Sequence, residues 1–217
     1  MSENKPTIFY VYDALCGWCY GFSPVINAFY EKHKEDYNFR VLSGGMVTGD
    51  RIGPISEVAS YIKEGHLNVQ DRTGIKFGEP FLQKLFNDSS EIFTSVPSAM
   101  ALALFRTQQP ENELAFATRM QNAIYYEGMP PADWNTYGKC ASEFGLNAID
   151  FAEKLQNQKL LQLTQQEFEV VSNWGIKGFP TVLLQQDQKA YVVTRGYSSI
   201  EEMEEVLDKI QSEIQKS

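Results

Sequence analysis

Two of the three cysteines in this 217-residue chain lie three positions apart. They are Cys16 and Cys19, and Gly17 and Trp18 stand between them. Thiols at this spacing can close a disulfide with each other. One thiolate can therefore attack a foreign disulfide, and the other can release the mixed disulfide that forms. The pattern predicts thiol–disulfide exchange, provided that a strand leads into a helix at this point.

A zinc site is the main alternative for two cysteines at this spacing. Structural zinc needs four ligands, which usually come from two paired motifs. The chain has no second Cys-x-x-Cys and no close histidine pair, since Cys140, His33 and His66 are scattered. The sequence therefore favours a redox pair, and no metal ligand is predicted. We interpret Cys140 as a small buried hydrophobic residue and both histidines as surface residues.

The segments around the pair predict the strand and helix that this chemistry needs. Thr7–Tyr12 is β-branched and aromatic, which is typical of a buried strand, and Asn38–Ser43 predicts a second one. A helix is predicted from about Gly17 to Lys34, which completes a βαβ unit with parallel strands. Cys16 then lies at a helix N-terminus, where unpaired N–H groups and the helix dipole favour a thiolate. Cys19 lies one turn further in and is expected to be less exposed.

Helical patterns dominate the middle of the chain, and no strand is predicted from about Gly53 to Val171. Four helices are predicted there. The first is Ser98–Arg106, and the second has Leu114, Ala117, Met120 and Ile124 on one face. The third runs from Pro131 to Phe144 and is ended by Gly145, and the fourth is Leu160–Trp174.

Strand character returns near the C-terminus. Thr181–Gln185 and Ala190–Thr194 predict a β-hairpin, and a capping box of Ser199 and Glu202 begins a final helix. The order is therefore βαβ, a helical insertion and then ββα, which is an α/β fold. We predict a discontinuous domain of residues 1–52 and 172–217 and an insertion domain of residues 53–171.

The segment Gly178-Phe179-Pro180-Thr181 comes directly before the predicted hairpin. It could be a simple turn, or it could be a cis-proline loop that faces the cysteine pair. Only about 5% of X-Pro bonds are cis, so the proline alone does not decide between them. The combination with Cys-x-x-Cys at a βαβ start favours the loop, and whether Pro180 is cis stays open at this point.

These motifs resemble the thioredoxin superfamily and, within it, the DsbA-like family. The resemblance rests on the run from Asp13 to Tyr20, on Pro24 in the following helix and on Gly178–Thr181, and it covers nearly the whole chain. Within the family the chain looks most similar to the FrnE-like group of predicted cytoplasmic disulfide isomerases, and Gly44-Gly45-Met46 after the second predicted strand also fits that group. The resemblance implies a thioredoxin fold with a large all-helical insertion.

The resemblance also implies a role for each residue of the motifs. Cys16 would be the nucleophile and Cys19 the resolving thiol. Pro180, if cis, would hold the backbone of a bound partner beside the Cys16 sulfur. The other residues of the motifs would line the active site, namely Gly17, Trp18, Phe179 and Thr181.

The chain departs from the family pattern at the group that shuttles protons. Thioredoxin and many DsbA proteins have a buried carboxylate six positions before the first cysteine, and this chain has Tyr10 there. Asp13 is the nearest upstream carboxylate, and we expect it in a turn that exposes it. Tyr10 and Asp13 are both candidates for the proton relay, and a bound water is a third.

Three functions are compatible with these motifs. The first is a thiol–disulfide oxidoreductase or isomerase that acts on protein or peptide disulfides without a bound cofactor, with a small thiol such as glutathione as a possible co-substrate. The second is a glutathione-dependent transferase or isomerase of a small molecule. Relatives of that kind resemble the chain less, because they have a serine at the position of Cys16. The third is a non-catalytic redox-sensing or chaperone-like binding module.

The overall charge and the ends of the chain bear on partners and location. Nineteen Lys and Arg residues against 28 Asp and Glu give a net charge of −9, which argues against nucleic acid or an anionic membrane as a partner. The first six residues, Met1–Pro6, do not read as a signal peptide, and no run of 18 apolar residues predicts a membrane span. We therefore expect a cytoplasmic protein.

Overall fold

The computed structural model describes residues 5–87 and 90–216. Its strands are β1 (Thr7–Tyr12), β2 (Asn38–Ser43), β3 (Gly53–Pro54), β4 (Ile92–Phe93), β5 (Thr181–Gln186) and β6 (Lys189–Arg195). Its α-helices are α1 (Gly17–His33), α2 (Ala59–Thr73), α3 (Glu79–Asn87), α4 (Val96–Arg106), α5 (Glu113–Tyr125), α6 (Trp134–Ser142), α7 (Ala148–Leu155), α8 (Gln158–Asn173) and α9 (Ile200–Ile214).

The main sheet has four strands in the order β2-β1-β5-β6. Strands β1 and β2 are parallel, whereas β5 is antiparallel to both β1 and β6. This is the predicted βαβ start followed by a ββα end. The predicted bounds of β1 and β2 are confirmed to the residue, and the hairpin strands extend slightly further than predicted. The final helix begins with the predicted capping box at Ser199, whose side chain accepts a hydrogen bond from the Glu202 N–H.

Two expectations for the middle of the chain are wrong in detail. Strands β3 and β4 form a short antiparallel pair where no strand was expected, because two residues are too few to show a period. Pro131 does not open a helix. Helix α6 begins instead after Asp133, whose side chain accepts a hydrogen bond from the Asn135 N–H and so caps the first turn.

The proposed division into two domains stays a prediction. Its second boundary, between residues 171 and 172, falls within helix α8. Residues 1–4, 88, 89 and 217 lie outside the described residues. They belong to the predicted domains, and residues 1–4 also belong to the segment Met1–Pro6. Within the described part of the chain, the helices are all too short or too polar to cross a membrane.

The insertion is joined to the sheet by a buried ionic network at the edge strand β2. Arg106 of α4 pairs with Glu113 of α5 and with Glu167 of α8, each at 2.7 Å. The two carboxylates also accept hydrogen bonds from strand β2, Glu113 from the Val41 N–H at 2.7 Å and Glu167 from the Ser43 N–H at 2.8 Å. Edge-strand N–H groups that would otherwise lack partners are thus bonded by helices of the insertion.

Breaking this network should destabilise the protein strongly. In Arg106→Met, Glu113 keeps a charge that is 4% exposed and loses its cationic partner, so we expect a loss of about 3–5 kcal/mol in the free energy of unfolding. Urea denaturation measures this loss. Lys154→Met is the matched control, because its pair with Asp150 is on the surface and is worth at most about 1 kcal/mol. Similar small losses in both variants would contradict the structural role of the network.

Candidate active site

Cys16 lies at the junction between strand β1 and helix α1. It is the N-cap of α1, with extended backbone angles (φ −88°, ψ 110°), and its side chain makes no capping hydrogen bond. Its N–H donates to the Asp13 carbonyl at 3.1 Å, and its own carbonyl accepts from the Tyr20 N–H at 3.0 Å. The residue is 7% exposed, and its thiol donates to the Phe179 carbonyl at 3.5 Å. The sulfur is therefore at the surface end of the helix, beside the loop before β5.

Cys19 lies one turn further along α1 and is fully buried, as expected from its position. Burial raises the pKa of the Cys19 thiol well above its ordinary value, and the neighbouring Cys16 thiol raises it further. Loss of water disfavours the charged thiolate, and a second sulfur nearby adds repulsion when both are ionised. Cys19 therefore keeps its proton at neutral pH, while Cys16 is the more accessible sulfur.

The loop that faces Cys16 is positioned by pairing of β5 with β1, which places Thr181 opposite Val11. The peptide bond between Phe179 and Pro180 is cis. The Phe179 ring packs directly over Gly44, where a Cβ would lie 2.0 Å from the ring. Only glycine fits at that position, so Gly44 after strand β2 is part of what holds this loop against the cysteine pair.

Asp13 is 1% exposed, which corrects the expectation that it lies in an exposed turn. One carboxylate oxygen accepts from the Leu15 N–H at 2.9 Å and from the Ser95 hydroxyl at 2.8 Å, and the other accepts from the Met46 N–H at 2.7 Å. Burial raises the pKa of Asp13, and these three hydrogen bonds and the charge of Arg51 oppose that shift. Asp13 thus joins the cysteine turn to two distant segments.

Met46 and Ser95 are site residues that the sequence did not reveal. Nothing in the sequence of Gly44-Gly45-Met46 indicates a hydrogen bond to Asp13. Ser95 precedes helix α4, where a serine ordinarily caps the first turn. Here its side chain makes no capping bond and instead donates to Asp13 while accepting from the Val47 N–H at 2.9 Å. A serine before a helix is too common a signal to identify this contact.

Tyr10 lies in the sheet beneath the cysteine pair and is 2% exposed. Its hydroxyl is buried and has no partner in hydrogen-bonding geometry among the described residues. Burial raises the Tyr10 pKa well above its ordinary value, and the charges of Cys19 and Cys16 raise it further. The position that carries a carboxylate in many relatives is therefore occupied by a neutral phenol close to Cys19.

Trp18 separates two depressions beside the cysteine pair. On one side, a cleft of about 470 Å³ is lined by Trp18, Asn68, Arg72, Phe179, Gly196 and Tyr197. On the other side, Cys16, Gly17 and Trp18 line a more enclosed pocket toward helix α2. The structure therefore brings Gly17, Trp18 and Phe179 together at the surface around Cys16.

Of the other residues considered as ligands or thiols, His66 lines the pocket beside Cys16, whereas Cys140 and His33 line neither depression. Cys140 is fully buried, and burial raises its pKa to about 12, in agreement with the prediction of a packed hydrophobic residue. His66 is 6% exposed between the rings of Phe77 and Phe86, so the expectation of a surface position was wrong. His33 is partly exposed and contacts Glu204 at 2.8 Å. Residues 5–87 and 90–216 contain no cluster of three or more metal-ligating side chains.

Comparisons with known proteins agree with this geometry. The family described as "DSBA-like thioredoxin domain" matches residues 7–208. Among solved structures, a "putative protein disulfide isomerase" from Nitrosomonas europaea is 26% identical, with a TM-score of 0.86, and the match covers 97% of this chain and 99% of that one. The "cytosolic disulfide reductase DsbM" from Pseudomonas aeruginosa is 25% identical, with a TM-score of 0.76 and coverage of 97% and 100%. DsbM is also known in a structure with GSH. A search of curated proteins gave no match.

The burial of Asp13 predicts how its contribution to stability changes with pH. Because burial raises its pKa in the folded protein, Asp13 stabilises the fold fully below the pKa of the unfolded chain, about 3.9, and this contribution is lost as the pH rises through the folded-state pKa. Asp13→Asn cannot titrate. The free energy of unfolding of the unmodified protein minus that of Asp13→Asn should therefore fall between pH 4 and pH 7, as measured in urea.

A difference that grows with pH for Asp13→Asn would show that the three hydrogen bonds outweigh burial, and it would reverse the direction given above.

Proposed function

Because the chain belongs to the DsbA-like thioredoxin domain family, whose members are thiol–disulfide oxidoreductases, we propose that it reduces and isomerises protein or peptide disulfides. One observation carries the proposal. The Cys16 sulfur lies at the N-terminus of α1 against the Phe179–Pro180 loop, and Cys19 is buried one turn below it. Cys16 is 7% exposed and Cys19 is fully buried, so the two thiols differ in the way that exchange through a mixed disulfide needs.

In the first step, the Cys16 thiolate attacks one sulfur of the substrate disulfide. The substrate S–S bond breaks, its second sulfur leaves as a thiolate that takes up a proton, and Cys16 becomes joined to the substrate. Cys16 is the N-cap of α1, so the attacking sulfur lies at the N-terminus of the helix. The Phe179 carbonyl, which accepts from the Cys16 thiol in the resting protein, marks where the backbone of the partner would lie.

In the second step, Cys19 gives up its proton and attacks the Cys16 sulfur. The mixed disulfide breaks, the substrate leaves as a thiol, and Cys16 and Cys19 form a disulfide, so the substrate gains two electrons and the pair loses them. The raised Cys19 pKa makes proton removal a necessary part of this step. Asp13 and Tyr10 both lie close enough to affect the charge of Cys19, so they remain the candidates for a proton relay.

The neighbouring structures support the direction and the partners that we propose. The Pseudomonas protein is named a cytosolic reductase, which supports a cytoplasmic location and net reduction here. Its structure with GSH supports glutathione as the co-substrate. Two glutathione molecules would reduce the Cys16–Cys19 disulfide to the dithiol and would be released as one molecule of glutathione disulfide. Arg72 and Asn68, in the cleft beside Trp18, offer polar contacts for such a thiol. The name of the Nitrosomonas protein supports isomerase activity.

Two other functions predict a different behaviour of the Cys16–Cys19 pair. A glutathione-dependent transferase or isomerase of a small molecule would turn over an electrophile while Cys16 and Cys19 both stay reduced. A redox-sensing or chaperone-like module would protect client proteins even in the double variant Cys16→Ser, Cys19→Ser. Neither result is expected if thiol–disulfide exchange is the function.

Reduction of insulin disulfides tests the proposal directly. With dithiothreitol or glutathione as the reductant, the unmodified protein should accelerate insulin precipitation, measured as turbidity, and Cys16→Ser should fall to the uncatalysed rate. Cys140→Ser is the matched control and should retain activity, because Cys140 is buried in helix α6 and lines neither depression beside the pair. Equal activity of Cys16→Ser and the unmodified protein would contradict the mechanism.

The variant Cys19→Ser identifies the partner in the same mechanism. Without a resolving thiol, mixed disulfides should accumulate on Cys16, and mass spectrometry of the trapped species names the molecule attached. Protein partners support the proposal. Glutathione alone would contradict protein or peptide disulfides as the substrate.

A further inference from the structure

Strand β1 carries two buried tyrosines, Tyr10 and Tyr12, whose hydroxyls have no hydrogen-bond partner among the described residues. Their side chains lie on the same face of the sheet, because they are two positions apart, and their ring centroids are 5.4 Å from each other. The two residues are 2% and 1% exposed. A buried hydroxyl without a partner destabilises a fold, so two of them beside the cysteine pair indicate a functional role.

Tyr10 faces helix α1 on the side that carries Cys19. Its ring packs against that of Phe22 with the centroids 6.0 Å apart, and Phe22 lies one turn beyond Cys19 on the same face of the helix. The charge of Cys19 acts on the Tyr10 hydroxyl more than any other charge does. Tyr12 differs, because the charge that acts on it most is that of Asp13. Of the two hydroxyls, that of Tyr10 is therefore the one placed to act on the resolving thiol.

The resolving step changes what the Tyr10 hydroxyl can bond to. In the resting dithiol, Cys19 carries a neutral thiol, whose sulfur is a weak acceptor. When Cys19 loses its proton, the sulfur becomes an anion, and hydrogen bonds to charged acceptors are roughly twice as strong as those between neutral groups. Burial holds the pKa of Tyr10 well above its ordinary value, so the phenol keeps its proton and serves as a donor. A hydrogen bond that forms only as charge develops on Cys19 lowers the barrier of this step.

We propose that Tyr10 is a catalytic residue of the resolving step and that its hydroxyl donates a hydrogen bond to the Cys19 thiolate. The inference rests on the proposed function. In this step Cys19 loses its proton, and its sulfur forms a bond with the Cys16 sulfur. The S–S bond between Cys16 and the substrate breaks, and the proton ends on the departing substrate sulfur. Tyr10 keeps its own proton throughout, so it stabilises the thiolate without relaying the proton.

Reaction with 5,5′-dithiobis(2-nitrobenzoate) separates the two steps of exchange. Cys16 of the reduced protein attacks one sulfur of the reagent and releases a first coloured thionitrobenzoate anion, at a rate that depends on the reagent concentration. Cys19 then attacks the mixed disulfide and releases a second anion, at a rate that does not. In Tyr10→Phe the second phase should slow about tenfold at pH 7, because a hydrogen bond to a charged acceptor is lost. The first phase should keep its rate.

Tyr12→Phe is the matched control, since it removes an equally buried hydroxyl without a partner from the same face of β1. Its second phase should keep the rate of the unmodified protein. Both variants should unfold at the same or a higher urea concentration than the unmodified protein, because each loses a buried hydroxyl that has no partner. A slower resolving step in a protein that is no less stable distinguishes a catalytic role from a structural one. If Tyr10→Phe does not fold, Tyr10→Met takes its place, since methionine adapts to irregular spaces in a core.

The pH dependence of the second phase provides a further measurement. Because Cys19 keeps its proton at neutral pH, the rate should rise with pH as more thiolate forms. The profile of Tyr10→Phe should lie about one pH unit higher, which corresponds to the tenfold loss. The other titratable groups around Cys19 are Cys16, Asp13, Tyr12 and Tyr125. They are the same in both proteins, so the displacement between the two profiles reports on the Tyr10 hydroxyl.

The outcomes separate this inference from the proposed function. Equal second-phase rates in Tyr10→Phe and the unmodified protein would overturn the role of Tyr10 and leave the proposed function intact. An equal loss of rate in Tyr12→Phe would overturn it as well, because the effect would then not belong to the hydroxyl beside Cys19. Release of only one anion by the unmodified protein would instead overturn the resolving role of Cys19, and with it the proposed function.

Discussion

The need to satisfy polar groups at the edge of the sheet determines how the two parts of this protein are joined. Strand β2 is an edge strand, and its outward N–H groups would otherwise have to bond to water. Glu113 and Glu167 from two helices accept from this strand, and Arg106 from a third helix neutralises both carboxylates. None of the three ions is suited to burial without the other two. The stability of the insertion and that of the sheet therefore depend on the same charge pairs. An apolar contact of the same size would not need such matched partners.

The same kind of connection appears at the active centre, with a carboxylate that has no cation bonded to it. Asp13 follows strand β1, and its three hydrogen bonds come from its own turn, from the segment after β2 and from the start of α4. These bonds fix the turn that carries Cys16 relative to the segment after β2 and to the start of α4. The position of the reactive sulfur is therefore set partly by the insertion, through Ser95, and partly by the βαβ unit, through Met46.

How far the sequence predicts this structure depends on how local each determinant is. The bounds of β1 and β2 follow from the sequence because clear turn signals adjoin them: Pro6 and Asp13 flank β1, and Gly44 follows β2. The cysteine pair is placed correctly at the start of α1 for the same reason. The burial of Asp13 does not follow, since its partners Met46 and Ser95 are 33 and 82 residues away and neither has a distinctive pattern. His66 was misplaced for a similar reason, because the rings that enclose it come from elements that the sequence did not separate.

The replacement of a buried carboxylate by Tyr10 bears on which reaction the pair favours. Burial and the Cys16 thiol keep Cys19 protonated, and the neutral Tyr10 phenol beside it is a weaker proton acceptor than a carboxylate. In the proposed mechanism, resolution by Cys19 then depends on another proton acceptor, such as Asp13 or the leaving thiolate of the substrate. A slower resolving step leaves the mixed disulfide on Cys16 for longer. Another thiol of the same substrate then has time to attack it, and this exchange rearranges disulfides without net reduction. The chemistry around Cys19 is thus compatible with isomerisation.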